Sequence, residues 1–585
     1  MSSEQRHAPF RMPGRLFAEV AAGGGSAEAV AFLERAERAR RLLLLRTLLD
    51  DLGPLPTPLT PAAEAWSVLK AAAEAAPGPV DRLLLAPATG GWIAHMLRRL
   101  HGTATGPPLW ADAGHLGSLA ISASLLAGTA ADLRVPLTDG QVCLPGLGLA
   151  RLPGGPPGVT VAHAHVSDGE LTLVPAEESS DRGVAEPGRL GSGLSVTVRP
   201  VTAPLGTGGA TPSPADPHTP WLPLRTLTHS TSTGPVAIPL DDLDPYRDLD
   251  DPLPPARLDD GEAAAWQRVF EEAVAILQGR GARVGPGRFD PVGIRAVVPW
   301  GRTSVSPPAP PAVLVSASSG DAFGAMVIAR PSSPLALAET LVHEFQHSKL
   351  AALLHLFPLL DDDRAERYYA PWRADPRHLT GLLHGAYAFT GVAGFWRDRL
   401  ADAQDGPAVE EAGYHFALRR LQSRLVVRTL LTSGRLTAQG HALVTGLAGT
   451  LDGWLREAVP PAALERARTA AALHRTEWRL RNVVPVAAPV PRADTPSLRP
   501  DRVAWPDVRT HAFAARPTAP RTADEHLAAG DPAAALPRYA DALIADPAEP
   551  HTLAGWIVAQ AVLNPGRASR RMLARPELLQ LSRSG

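Results

Sequence analysis

Residues 333–354 read SPLALAETLVHEFQHSKLAALL, and this stretch decides the architecture. A serine hydroxyl accepts a first-turn amide hydrogen bond, and proline lacks the amide that would go unpaired, so Ser333 suits a helix cap and Pro334 its first turn. Pro358 ends the run, because proline cannot continue the hydrogen-bond ladder. On such a helix His343 and His347 fall one turn apart on one face, where their imidazoles can converge on a single metal ion. Leu350 and Leu354 carry that face on into a core. Upstream, Ala312–Ala317 and Phe323–Arg330 read as two strands, so the metal helix is expected beside a small β-sheet.

A metal needs more than two histidines. His384 lies in an apolar stretch expected to be helical over His378–Trp396. Its neighbours Gly381 and Gly385 permit close backbone approach, which makes it a candidate third ligand. Glu366 is the rival: eighteen residues separate it from His347, a spacing found in glutamate-ligand zinc sites, although Pro358 and Asp361–Asp363 interrupt the intervening helix. His355, His378 and His415 are weaker candidates, and Lys349 points away from the histidines and reads as structural. Between the helix and His384 lie Tyr368, Tyr369, Arg373 and Arg377. Guanidinium groups pair bidentately with carboxylates, so this segment suits an anionic ligand.

Working outward, helical spacing recurs through Ala27–Leu49, Pro61–Ala76 and Trp92–Leu100. From about residue 130 to 240 the texture changes to short β-like runs: Leu133–Leu137, Gln141–Leu144, Gly158–Ala164, Leu171–Val174 and Leu194–Val198. Asp139-Gly140 and Asp168-Gly169 separate some of them as turns. Ala203–Pro220 reads as a surface loop, and Gly261–Gln278 as a helix opening the central region. Thr522–Ala559 resembles a single tetratricopeptide-like helix pair, which cannot bury its own face and should dock on the main body. The division expected is a helical region at 1–125, a β-rich region at 126–245, the metal-binding region at 246–485, and a Pro-rich connector with the helix pair at 486–585. The fold class is therefore α+β, predominantly helical.

Composition closes off several function classes. Charged residues are 20% and the net charge is −2, so no basic excess points to nucleic acid. The single Cys143 excludes an intramolecular disulfide framework and any cysteine-cluster metal site, and fits a reducing cytoplasm. No segment reads as a signal peptide or membrane span, so a soluble, cytoplasmic protein is expected. Of 57 basic residues only Lys70 and Lys349 are lysine, the mark of a GC-rich genome.

Two segments carry a family resemblance: LVHEFQHSKLAALLHLFPLL at 341–360 and RYYAPWRADPRHLTGLLHGAYAFTGVAGFW at 367–396. Together with PGRLFAEVAAGGG, RARRLLLLRTLLD and LDDLDPYRDLDDP they resemble the HExxH-motif peptide-modification proteins of ribosomal-peptide gene clusters. The resemblance covers most of residues 12–485, and its specific part is the signature from His343 to Trp396. It implies a zincin-like helix that holds iron(II), in an enzyme that uses 2-oxoglutarate and oxygen to hydroxylate the β-carbon of a residue in a ribosomal precursor peptide. Carried onto this chain, it makes His343 and His347 iron ligands and His384 the third. Arg373 and Arg377 become candidates for the 2-oxoglutarate carboxylate, Tyr369 helps position cosubstrate or peptide, and Glu344 either supports the metal's ligands or accepts a proton. Three histidines depart from the common two-His-one-carboxylate iron triad. Other enzymes of the same cluster are conceivable partners; nucleic acid and membrane are not.

The same two histidines also fit a zinc metallopeptidase, with Glu366 or His384 as third ligand and Glu344 activating the bound water. Spacing does not separate the two chemistries. A non-catalytic peptide-recognition scaffold is a third reading.

Overall fold

The computed structural model describes residues 11–176, 195–199, 203–204, 219–231, 234–249, 251–278, 285–300, 316–329, 333–485, 497–500 and 505–583. The protein is α+β and predominantly helical, with two sheets. It divides into two compact units, one built from Val30–Gly279 with Asp290–Leu356, the other from Arg11–Ala29, Arg280–Phe289 and Phe357–Gly585. No helix among the described residues is long and apolar enough to cross a membrane.

Among the described residues of the first unit, thirteen strands run β1 (Ala131–Thr138), β2 (Gln141–Leu144), β3 (Gly148–Arg151), β4 (Val159–Ser167), β5 (Glu170–Pro175), β6 (Val196–Val198), β7 (Ala203–Pro204), β8 (Trp221–Pro223), β9 (Arg225–Thr231), β10 (Gly234–Leu240), β11 (Ala296–Trp300), β12 (Ser316–Ala317) and β13 (Ala325–Ala329). The first sheet has the order β6-β5-β4-β1-β2-β3-β8, with every pairing antiparallel. Leu133, Val135 and Leu137 of β1 point inward and Asp132 and Arg134 outward, the period-two alternation of a half-buried strand. The helix His115–Ala127 covers the inner face, where Leu116, Leu119 and Ile121 meet Ala162, Ala164, Leu171 and Leu173.

The Asp-Gly pairs do what their chemistry allows. Asp139 and Gly140 have φ of 50° and 70°, and Asp168 and Gly169 have 50° and 76°. Positive φ at both central residues matches the right-handed twist of the strands they join, which here are β1–β2 and β4–β5. The expected loop Ala203–Pro220 is different at its start, where Ala203–Pro204 pairs with β9; residues 205–218 lie outside the described residues.

The second sheet, β12-β13-β11-β10-β9-β7, mixes directions: β13, β11 and β10 run parallel, while β12 joins β13 antiparallel at the edge. The central strands are buried along nearly their whole length, which parallel packing demands. Against it lie the helix Asp260–Gln278 and the histidine helix Pro334–Leu356. Gln267 fixes the former, its amide donating to the Thr228 carbonyl at 2.7 Å and accepting from the Thr228 amide at 3.0 Å. Of the two strands expected upstream of the histidine helix, the second shortens to Ala325–Ala329; Ala312–Val315 of the first lie outside the described residues.

The second unit is all-helical in its described elements. The helices Leu379–Asp402, Gly406–Thr432, Ala438–Leu455 and Pro461–Asn482 pack together, with Gly14–Ala21 on Ala438–Leu455. Asp405 and Thr437 cap two of them by accepting from Ala408 and Gly440 amides at 2.7 and 3.0 Å. Gly287 has φ +83°, and a Cβ there would sit 2.2 Å from the Phe395 amide nitrogen. Gly287→Ala is therefore expected to cost at least about 2 kcal/mol, from left-handed strain plus backbone overlap. A denaturant midpoint that does not move would contradict it.

Within and just beyond Thr522–Ala559 lie three helices, Ala523–Ala528, Pro532–Ala545 and Pro550–Leu563, with the Tyr539 ring filling the space over Gly555. The helix Pro550–Leu563 docks on Pro461–Asn482. A charged network ties that contact. His551 Nε2 lies 2.9 Å from Asp524, its Nδ1 lies 3.2 Å from Glu477, and Arg509 reaches both acids. Burial alone would lower the His551 pKa, but the Asp524 and Glu477 hydrogen bonds outweigh it and hold the imidazolium up to about 9. A raised pKa stabilises the fold fully below the ordinary histidine value of 6.5, and that contribution is lost as pH rises through about 9. The melting temperature should fall over that window, and His551→Gln should flatten the fall.

Candidate functional site

The histidine helix begins as its sequence dictates. Ser333 Oγ accepts from the Ala336 amide at 3.2 Å, Pro334 is the first helical residue, and the helix ends at Leu356, ahead of Pro358. His343 and His347 are both half-buried on it. Their Nε2 atoms stand 3.1 Å apart, with ring centroids 4.7 Å apart and planes at 75°. Two nitrogens each about 2.1 Å from one ion lie about 3.0 Å apart at an octahedral right angle and about 3.4 Å apart at the tetrahedral angle, so the pair fits two adjacent positions of a metal centre.

Glu344 is turned differently from its neighbours. It is 1% exposed, and its Oε1 accepts from Ser316 Oγ at 2.6 Å. Its other oxygen, Oε2, is buried with no hydrogen-bond partner among the described residues. A carboxylate oxygen left this way is costly unless something polar meets it. The chemistry of the donor set, two imidazole nitrogens beside an unsatisfied carboxylate oxygen, thus fits a metal with an attendant water. Ser316, on the edge strand β12, escapes sequence reasoning because a lone serine has no signature until the strand is placed against the helix.

The rest of the helix is structural. Lys349 is 2% exposed, and burial lowers its amine pKa to about 7; its Nζ sits 5.9 Å from the Phe345 ring centroid. His355 Nδ1 pairs with buried Glu37 at 2.6 Å, which accounts for that histidine. Among the described residues, no group of three or more His, Cys, Asp or Glu side chains gathers as a metal site.

No family model matches the chain, and no curated protein matches it.

The remaining candidates belong to the second unit. His384 is half-buried on Leu379–Asp402. Burial, with the charges of His378, Arg364 and Arg377, lowers its pKa to about 4, so its imidazole is neutral near pH 7. That is the form a metal ligand requires. Gly385 is needed for packing, since a Cβ there would lie 2.2 Å from the Trp372 ring. The sequence places His378 inside this helix, but it stands at the N-cap position instead, where its Nδ1 donates to the Asp362 carboxylate at 2.7 Å. Glu366 is exposed and outside any helix. His415 stacks on Trp396 at 4.3 Å, and burial lowers its pKa to about 3.

Tyr368 and Arg377 close a turn through paired 2.9 Å backbone hydrogen bonds. Within it Arg373 and Arg377 share one carboxylate, Asp375, at 2.8 and 3.4 Å. Tyr369 engages His474 Nδ1 through its hydroxyl at 2.8 Å and meets Trp478 edge-on, with burial raising its phenol pKa. The structure thus brings together His343, Glu344 and His347 in one unit, and Arg377 with His384 in the other, while Tyr369 joins an aromatic cluster.

Proposed function

We propose that this protein is an iron(II)- and 2-oxoglutarate-dependent peptide β-hydroxylase acting on a ribosomally synthesised precursor peptide in the cytoplasm, alongside other enzymes of its cluster. The observation that carries the reading is the 3.1 Å approach of His343 Nε2 to His347 Nε2 on a capped helix beside a small sheet, the zincin-like arrangement. The resemblance of the 341–396 segment favours iron and 2-oxoglutarate over zinc.

His343 and His347 would hold the metal through their Nε2 atoms. When bound, iron(II) with 2-oxoglutarate supplies the oxidising power that an unactivated C–H bond demands. The chain's own share is positional. Two imidazoles offer their Nε2 lone pairs, and the half-buried helix face limits water. Arg373 and Arg377 offer the guanidiniums for a 2-oxoglutarate carboxylate, in competition with Asp375, while Tyr369 steadies that segment through His474. Glu344 Oε2 is the atom able to take a proton, and Ser316 holds the carboxylate by its other oxygen.

The Oε2 atom also favours a second reading, a zinc metallopeptidase acting on a peptide, in which that oxygen takes the proton of an attacking water. Co-expression with a candidate precursor peptide tests the first reading. A gain of one oxygen atom on a side chain, dependent on iron and 2-oxoglutarate, is expected; cleavage of the peptide with zinc and no such gain would contradict it.

A further inference from the structure

Among the described residues of the second unit, one buried cation lacks the partners that such a group needs. Arg419 is 7% exposed on the helix Gly406–Thr432. Its Nη1 donates to Gln422 Oε1 at 3.1 Å, and the Gln422 amide nitrogen donates in turn to the Pro371 carbonyl at 2.7 Å. Arg419 Nε is buried without a hydrogen-bond partner, and no described residue bonds Nη2. A guanidinium taken out of water is costly unless a negative charge or several acceptors meet it. Every other buried arginine among the described residues has them. Arg225, Arg466 and Arg509 each reach a carboxylate, while Arg41, Arg247 and Arg420 each donate to two or more backbone carbonyls.

The surroundings of Arg419 do not supply the missing charge. The Phe389 ring centroid lies 4.6 Å from its Cζ, and Trp372 packs on Phe389 at 4.7 Å. A ring face attracts a cation but accepts none of its in-plane N–H groups. One turn before Arg419, His415 stacks on Trp396. His415 Nδ1 and Trp396 Nε1 are likewise buried without a hydrogen-bond partner among the described residues. Burial, and after it the Arg419 charge, lower the His415 pKa to about 3, so that ring is neutral near pH 7. Asp507 and Glu477, whose charges reach His474 together with that of Arg419, are engaged elsewhere: Asp507 accepts from the Thr510 amide at 3.1 Å, and Glu477 meets Arg509 at 3.2 Å.

Which nitrogens are used and which are open identifies the ligand class. With Nη1 on Gln422, the open edge of the guanidinium carries the Nε–H and an Nη2–H side by side, the fork that meets both oxygens of one carboxylate. We propose that this edge of Arg419 binds a small free carboxylate where the helices Leu379–Asp402 and Gly406–Thr432 pack together. The anion neutralises the buried charge and satisfies both open donors at once. The site uses none of the groups assigned to metal or cosubstrate, and it is independent of the hydroxylase reading.

Titration of the full chain with acetate, followed by the width of the acetate methyl resonance, tests this, with acetamide as the neutral counterpart. Saturable binding of one acetate per chain is expected, with no saturable uptake of acetamide. Arg419→Lys keeps the charge and removes the fork, so acetate affinity should fall by roughly ten-fold or more. Arg419→Met removes the charge at similar length and should bind no acetate. The wild-type titration and the lysine variant decide the matter even where the methionine variant folds poorly. Absence of saturable acetate binding would overturn the proposal, since water alone would then meet Nε and Nη2. So would equal acetate affinity in wild type and Arg419→Lys, or displacement of acetate by chloride at equal concentration.

Discussion

Replacing His343 or His347 with alanine is expected to abolish both metal retention and turnover. Each supplies one of two nitrogens that meet at 3.1 Å, and a single imidazole on a half-buried helix face does not hold a divalent ion. The loss in metal affinity should exceed the roughly 100-fold that follows from removing a group that merely supports a ligand. Neither histidine is fully buried, so the fold should survive. Metal content per chain after dialysis, with circular dichroism as the folding control, reads this out. Retention of a full equivalent by either variant would contradict the assignment.

Glu344→Gln has the next largest expected effect, and its size depends on the chemistry. The amide oxygen of the substituted glutamine could still accept the Ser316 hydroxyl, so the helix–strand contact survives the change. What disappears is the basic Oε2. A peptidase that uses this oxygen as its general base would lose about 10²–10⁴-fold in rate. A hydroxylase that asks of it only local polarity should keep succinate formation within roughly ten-fold of wild type. Rates of both reactions on the same variant separate the two readings.

Much of the histidine helix is legible because its determinants are local. Ser333, Pro334 and Pro358 mark its ends by their own backbone chemistry, and the four-residue spacing of His343 and His347 needs only helical geometry to bring the rings together. The Asp-Gly turns and the alternation in β1 are legible for the same reason. Partners far along the chain are not. The pairing of Glu344 with Ser316 depends on how a two-residue edge strand meets the helix. His355 finds Glu37 across 318 residues, and Tyr369 finds His474 across 105. Spacing patterns report neighbours on one element, so they rank His355 and Tyr369 by residue type and miss the groups that occupy them. His378 shows the boundary case, where one residue's shift turns a helix member into its cap.

The central claim is that the histidine pair serves iron and 2-oxoglutarate, and cosubstrate turnover tests it most directly. Apoprotein is loaded anaerobically with iron(II), given 2-oxoglutarate, oxygen and precursor peptide, and assayed for succinate, with zinc-loaded protein and His343→Ala as controls. Succinate formed with iron and intact His343, and with neither control, is the predicted result. No succinate, together with peptide cleavage by the zinc-loaded protein that Glu344→Gln removes, would contradict the hydroxylase reading.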